Sequence, residues 1–182
     1  MATKKINSMC IRESKSSNVN AIRLLHENAF GEPEGKVIAQ LVCDLFDDKS
    51  AIPLLSLVVE NNDNIVGHVI FSPVTIDGNK EIPTYILAPL AISKADQRKG
   101  LGTKLINYGL DVLKMRGVDI VLVLGDPKYY KRVGFHADHN IKPPYELEYP
   151  EAWMAMALKP GMLNEIEGIA RCASSLSSPE YW

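Results

Sequence analysis

The sequence has few cysteines, no long apolar run and almost no net charge. Its three cysteines, Cys10, Cys43 and Cys172, are odd in number and scattered, a pattern typical of a reducing compartment rather than of a disulfide framework. A formal net charge of −2 gives no reason to expect nucleic-acid binding. No apolar segment is long enough to cross a membrane, and the first lysines precede no apolar run of a secretory signal. We therefore expect a cytoplasmic protein with neither nucleic-acid nor membrane partners.

Clusters of metal ligands are also missing. His136 and His139 lie three residues apart, but no further ligands accompany them, so we expect no metal. The hydrophobic fraction of 46% and the charged fraction of 23% are those of an ordinary globular protein, and 182 residues suit one domain.

The order of the predicted elements indicates an α/β protein. Helical spacing of apolar residues predicts helices at 18–31, 34–48 and 103–116, with a short helix after Pro127 that is broken at Gly134. Apolar runs bounded by turn residues predict strands at 9–13, 54–59, 65–71, 85–92, 120–124 and 153–158. A strand, helix and parallel strand beside an antiparallel hairpin imply a mixed sheet flanked by helices.

The most informative segment is the basic turn between the strand at 85–92 and the helix at 103–116. It carries Arg98, Lys99, Gly100 and Gly102 in a chain that is slightly acidic overall. Unpaired amides at a helix N-terminus, approached through glycines, can hold a phosphate. The turn fits neither a dinucleotide fingerprint, since a third glycine is missing at Leu105, nor a Walker A loop. An ordinary solvated turn is the alternative interpretation.

Pro89 interrupts the strand that leads into this turn. Proline cannot donate to a sheet ladder, so it marks either an edge strand or a place where two strands part. If the strands part, the backbone groups of Leu90, Ala91 and Ile92 become free to pair with a ligand. A ligand with an amide-rich arm and a pyrophosphate fits both features, and coenzyme A has that shape.

These segments resemble the GNAT superfamily of acyl-CoA-dependent N-acyltransferases. The run from Gln97 to Gly102 follows the family pattern Gln/Arg-x-x-Gly-x-Gly/Ala, and 87–92 resembles the strand that precedes it. The segment 125–135 resembles the family's Tyr-x-x-x-Gly-Phe region. The resemblance implies a splayed mixed sheet, an acetyltransferase domain at 9–159 and a C-terminal extension at 160–182 that packs on it.

The resemblance also implies how acetyl-CoA binds as co-substrate. The pyrophosphate would lie on the turn and the pantetheine arm on the parted strand. The residues implied are Leu90, Ala91, Ile92, Gln97, Arg98, Lys99, Gly100, Leu101, Gly102 and Thr103.

Acetyl transfer to an amine needs an oxyanion contact, an acid and a base. We expect the Ala91 amide to be able to stabilise the oxyanion, and the resemblance places the acid at Tyr130. A buried core aromatic is the alternative for Tyr130. The base stays open among Glu32, His68, Asp126 and water.

The expected reaction is acetyl transfer from acetyl-CoA to a primary amine by direct attack in a ternary complex. The alternative is an acyl-CoA-binding sensor without turnover. The acceptor, a small-molecule or peptide amine, is not identified. Its pocket is expected at 30–36, at a turn after Phe71 and at 142–150. The terminal Tyr181 and Trp182 would cover the pocket or bind another subunit, so a homodimer is possible.

Overall fold

The protein forms a mixed α/β fold around one large sheet. The computed structural model describes residues 4–6 and 9–182. Its strands are β1 Lys4–Ile6, β2 Met9–Glu13, β3 Leu55–Asn61, β4 Asn64–Ile76, β5 Thr84–Ile92, β6 Ile120–Leu124, β7 Asn140–Lys142, β8 Trp153–Ala157 and β9 Glu167–Arg171. Its α-helices are α1 Val19–Phe30, α2 Glu34–Asp47, α3 Leu101–Met115 and α4 Pro127–Lys131.

The main sheet runs in the order β1-β2-β3-β4-β5-β6-β8. Neighbours are antiparallel except β5 and β6, which are parallel and are joined through α3. The short strand β9 pairs with the end of β4 on one side and with β7 on the other. The predicted mixed sheet flanked by helices is therefore confirmed.

The two faces of the sheet carry separate hydrophobic clusters. One face packs against α3, whose Leu105 and Ile106 are fully buried. The other face packs against α1, α2 and the C-terminal segment, through residues such as Ile22, Val42 and Leu176. Apolar residues one helical turn apart produce these buried stripes.

The sheet splits beside Pro89, as the family resemblance implies. Parallel pairing joins Thr84–Leu87 to Ile120–Val123 and goes no further. Beyond it, β5 continues to pair with β4 as far as Ile92. A gap therefore opens between the ends of β5 and β6.

Several element boundaries differ from the prediction. The strand expected at 65–71 continues to Ile76, so no turn follows Phe71. Burial of Val74 and Ile76 holds this extension in the sheet in spite of Pro73. The strands β7 and β9 were not predicted, because β7 has only three residues and the five residues of β9 show no clear alternation.

No helix in the described part of the chain is long and apolar enough to span a bilayer. The prediction that the N-terminus is not a secretory signal falls partly on residues 1–3, 7 and 8, which lie outside the described residues.

Candidate active site

A cavity of about 490 Å³ opens where β5 runs into the turn before α3. We call it the donor cleft. Its walls are Leu90, Ile92, Asp96, Gln97, Arg98, Gly100, Leu101, Gly102, Thr103, Tyr129 and Arg132. Eight of the ten residues expected to bind the donor line this cleft, while Ala91 and Lys99 do not. The Lys99 side chain is 63% exposed, with its Nζ 3.7 Å from the Asp96 carboxylate.

Two residues of the turn have left-handed backbone conformations. Arg98 and Gly100 have φ angles of 62° and 75°, and α3 begins at Leu101. Left-handed residues next to a helix start form a concave row of N–H groups that suits an anion. Glycine at position 100 makes this conformation possible without a Cβ penalty.

The register of β4 and β5 decides which amides face the gap. The Ser93 N–H donates to the Val66 carbonyl at 2.8 Å, and hydrogen-bonded pairs alternate along an antiparallel ladder. The N–H of Ala91 is therefore directed at β4, whereas those of Leu90 and Ile92 are directed into the gap.

Two side-chain contacts fasten the turn to the strand. Gln97 Nε2 donates to the Ile92 carbonyl at 3.0 Å, which agrees with the outward direction of that residue's backbone. Ser93 Oγ donates to Asp96 Oδ2 at 2.5 Å. The cleft is thus bounded by a turn whose conformation is held from both ends.

Tyr129 closes the cleft on the side of α4. Its hydroxyl is hydrogen-bonded to Thr103, and burial raises the pKa of this phenol. A Cβ placed on Gly102 would overlap the Tyr129 hydroxyl, so only glycine lets the ring lie there. The guanidinium of Arg132 lies 5.9 Å from the ring centroid. Sequence reasoning missed Tyr129 and Arg132 as cleft residues, although both belong to the segment that resembles the family.

A second cavity, of about 610 Å³, lies on the other side of the strand split. We call it the acceptor cavity. Its walls are Phe30, Glu34, Val37, Ile38, Leu41, Leu87, Ala88, Pro89, Leu90, Leu124, Gly125, Asp126, Tyr130, Leu176, Glu180 and Tyr181. Leu90 lines both cavities, so they meet where β5 and β6 part.

Tyr130 lies at the acceptor side of this junction. Its ring crosses that of Phe135 at 85° with centroids 5.8 Å apart, and a Cβ on Gly125 would overlap it. Burial, with a smaller contribution from Tyr129, raises its pKa well above the ordinary value. The hydroxyl is therefore protonated at neutral pH and can act as a proton donor.

The three candidate bases occupy different surroundings. Asp126 lines the acceptor cavity, and its Oδ1 accepts from the Lys128 N–H at 2.9 Å. Glu32 is 68% exposed and pairs with Lys36 at 3.0 Å. His68 is fully buried and lines neither cavity.

His68 instead belongs to a buried polar chain on the α1 side of the sheet. Its Nδ1 lies 2.8 Å from His26 Nε2, and its Nε2 lies 2.8 Å from Ser56 Oγ. Ser14 Oγ donates to Ser56 Oγ at 2.7 Å. Burial lowers the pKa of His26 to about 3, and burial followed by His26 lowers that of His68. Both imidazoles are therefore neutral at pH 7.

The three segments expected to form the acceptor pocket do not come together in the structure. Residues after Phe71 continue β4 and form no loop there. The segment 142–150 lines a separate open cavity of about 1140 Å³ with β7, β9 and Trp153, because β7 draws it toward β9. Of the 30–36 region, Phe30 and Glu34 do line the acceptor cavity. The terminal segment contributes Leu176, Glu180 and Tyr181.

Three comparisons with known proteins agree on the family. The model of the Acetyltransferase (GNAT) family matches residues 19–135. The Escherichia coli K12 protein called uncharacterized N-acetyltransferase YjhQ is 36% identical over 163 residues, which cover 86% of this chain and 88% of that protein.

Two solved structures share the fold over most of their length. The Escherichia coli GNAT family N-acetyltransferase YhbS, solved in complex with CoA, has a TM-score of 0.86 and 28% identity, covering 98% of this chain and 97% of that chain. A GNAT family acetyltransferase from Brucella melitensis, solved with acetyl-CoA, has a TM-score of 0.74 and 29% identity, covering 92% and 97%. The chain therefore belongs to the GNAT family of acetyltransferases.

Proposed function

We propose that this chain transfers an acetyl group from acetyl-CoA to a primary amine by direct attack in a ternary complex. The observation that carries the proposal is the meeting of two cavities at Leu90, one beside an anion-binding turn and the other holding Tyr130. The CoA and acetyl-CoA complexes of the two structural relatives support the choice of donor.

The donor cleft suits each part of the co-substrate. The amides from Gly100 to Thr103 hold the pyrophosphate, with positive charge from Arg98 and Arg132. The backbone of Leu90 and Ile92 pairs with the pantetheine arm in the gap left by β6. The thioester then lies at the junction of the two cavities.

The chemistry at the junction uses three groups. The neutral amine attacks the thioester carbonyl, and the N–H of Leu90 stabilises the oxyanion; register favours it over Ala91, the residue expected from sequence. As the carbon–sulfur bond breaks, the Tyr130 hydroxyl gives its proton to the thiolate of CoA. Asp126 takes the proton of the amine, directly or through a water molecule.

A covalent route through cysteine is disfavoured by position. Neither cavity is lined by Cys10, Cys43 or Cys172. Burial also raises the pKa of the Cys172 thiol to about 12, which leaves it protonated and weakly nucleophilic. Direct attack is therefore the favoured route.

The test is release of free thiol from acetyl-CoA with a panel of amines, alongside calorimetric titration with CoA. Binding of CoA together with amine-dependent thiol release supports the proposal. Binding without turnover across a broad panel would instead favour an acyl-CoA-binding sensor. Absence of CoA binding would overturn both.

A further inference from the structure

The charged side chains that line the acceptor cavity are all acidic. Its three ionisable carboxyl groups are Glu34, Asp126 and Glu180, and no lysine, arginine or histidine is among its lining residues. No ion pair in residues 9–182 joins these three carboxylates to a basic side chain. The cavity adjoins the donor cleft at Leu90, so it is the candidate site for the acceptor. Its three carboxylates favour an acceptor that carries positive charge.

The three carboxylates come from two different parts of the cavity wall. Asp126 follows β6 and lies four residues before Tyr130, close to the reacting groups. Glu34 begins α2 and Glu180 belongs to the C-terminal segment, so both come from elements outside the strand split. Apolar side chains such as Val37, Ile38 and Leu41 make up much of the remaining wall.

The C-terminal segment that carries Glu180 is firmly attached. Trp182 Nε1 donates to the Leu176 carbonyl at 2.8 Å, and its ring lies 5.5 Å from that of Trp153. The Ser175 N–H and Oγ both donate to Asp48 Oδ2, at 2.8 and 2.6 Å. These contacts hold the segment against the domain and keep Glu180 at the cavity.

We propose that the acceptor is a small amine with a second cationic group at the far end of an apolar chain, and that Glu34 and Glu180 select it. The inference rests on the proposed function and names the substrate class of that site. The reacting amine must lose its proton beside Asp126, while the distal ammonium keeps its charge and interacts with Glu34 and Glu180. An acceptor with a distal carboxylate is repelled by the same groups.

The experiment compares three amines with the same five-carbon chain. Cadaverine has a distal ammonium, pentylamine a distal methyl group and δ-aminovalerate a distal carboxylate. We expect kcat/KM to fall by about tenfold from the first to the second and further for the third. The preference for cadaverine should shrink as salt is added, because salt screens exposed charges.

Two variants test whether Glu34 and Glu180 cause the preference for cadaverine. Glu34→Gln and Glu180→Gln should each raise KM for cadaverine by about three- to fivefold and should change KM for pentylamine much less. Glu165→Gln is the matched control, because Glu165 is exposed, outside the acceptor cavity, and the substitution changes net charge equally. Equal use of cadaverine and pentylamine, or variants that behave like the control, would overturn the inference while leaving acetyl transfer in place.

Calorimetry separates this inference from the proposed function if no amine reacts. With CoA bound, tighter binding of cadaverine than of pentylamine, weakened in both glutamate variants, supports the cationic acceptor and contradicts only the transfer. Absence of cadaverine binding in that experiment overturns the inference as well.

Discussion

Tyr129 and Tyr130 are adjacent in the chain, yet they line different cavities. Their rings cross at 81° with centroids 5.0 Å apart. Tyr129 closes the donor cleft, whereas Tyr130 lies in the acceptor cavity. The structure therefore places two adjacent tyrosines at different cavities.

Replacing Tyr130 by phenylalanine should lower kcat by about a hundredfold and leave the Kd of CoA unchanged, since general acids contribute rate rather than donor affinity. Because burial raises the Tyr130 pKa, the wild-type kcat should not decline on the alkaline side up to about pH 9. Steady-state thiol release measures both. Tyr129→Phe is the control and should mainly affect donor binding. Undiminished turnover in Tyr130→Phe would remove it from the acid role.

Gly102→Ala should weaken CoA binding by more than about tenfold, because its methyl group overlaps the Tyr129 hydroxyl and either the ring or the start of α3 must move. The double variant Gly102→Ala/Tyr129→Phe removes the overlapping oxygen and should recover part of the affinity. Calorimetric titration with CoA checks both variants. If the double variant binds no better than Gly102→Ala, this steric account is wrong.

Arg132→Gln should weaken CoA binding by about fivefold at low salt. Arg132 lines the donor cleft, where its positive charge would attract the phosphates of CoA. Lys99→Gln should change the Kd less, because the Lys99 side chain is turned toward Asp96 and solvent. The difference should diminish at high salt. A larger loss for Lys99→Gln would mean that the side chain of Lys99, rather than that of Arg132, meets the phosphates.

Because His26 is buried in its neutral form, we expect the free energy of unfolding to decrease as pH decreases. Its pKa is about 3 in the folded protein against 6.5 for an ordinary histidine, so the unfolded chain takes up the proton first as pH decreases. The contribution of neutral His26 to the free energy of unfolding is full above about pH 6.5. It is lost toward pH 3, at about 1.4 kcal/mol per pH unit. Urea unfolding at pH 7, 6 and 5 measures the slope. His26→Gln should reduce the slope, whatever its effect at pH 7, and the remaining slope includes the contribution of the neighbouring buried His68. An unchanged slope would contradict the burial of a neutral His26 imidazole.

Tyr181→Ala should raise KM for the amine several-fold while the Kd of CoA stays constant, because Tyr181 lines the acceptor cavity but not the donor cleft. Tyr149→Ala is the control, since Tyr149 is 62% exposed and lines neither cavity. Thiol-release kinetics and CoA titration give the two values. A loss of CoA affinity in Tyr181→Ala would show that the segment stabilises the donor cleft instead.

Local sequence signals identified most of the residues that line the donor cleft. These signals affect only the backbone within a few residues of their own positions. The glycines of 97–103 do so through the φ angles they allow, and Pro89 through its missing N–H. A turn of this kind needs little tertiary information. Pro89 by itself left an edge strand and parted strands open, and the splay of β5 and β6 was expected only from the family resemblance.

The acceptor side could not be located in this way. Its walls come from α1, α2, β5, β6 and the C-terminal segment, and no short spacing in the sequence connects them. The sequence analysis placed the 142–150 segment there. Its pairing with β9 through β7 places it at another cavity.

The α/β order, the glycine-bearing turn and the interruption at Pro89 were predictable from the sequence, because each depends on helical or strand periodicity and on backbone restrictions of single residues. The folded structure was needed to show that the Leu90 amide rather than that of Ala91 faces the gap, and that Glu180 and Tyr181 complete the acceptor cavity. Strand register and long-range packing join residues far apart in the chain, and neither is encoded in any one segment.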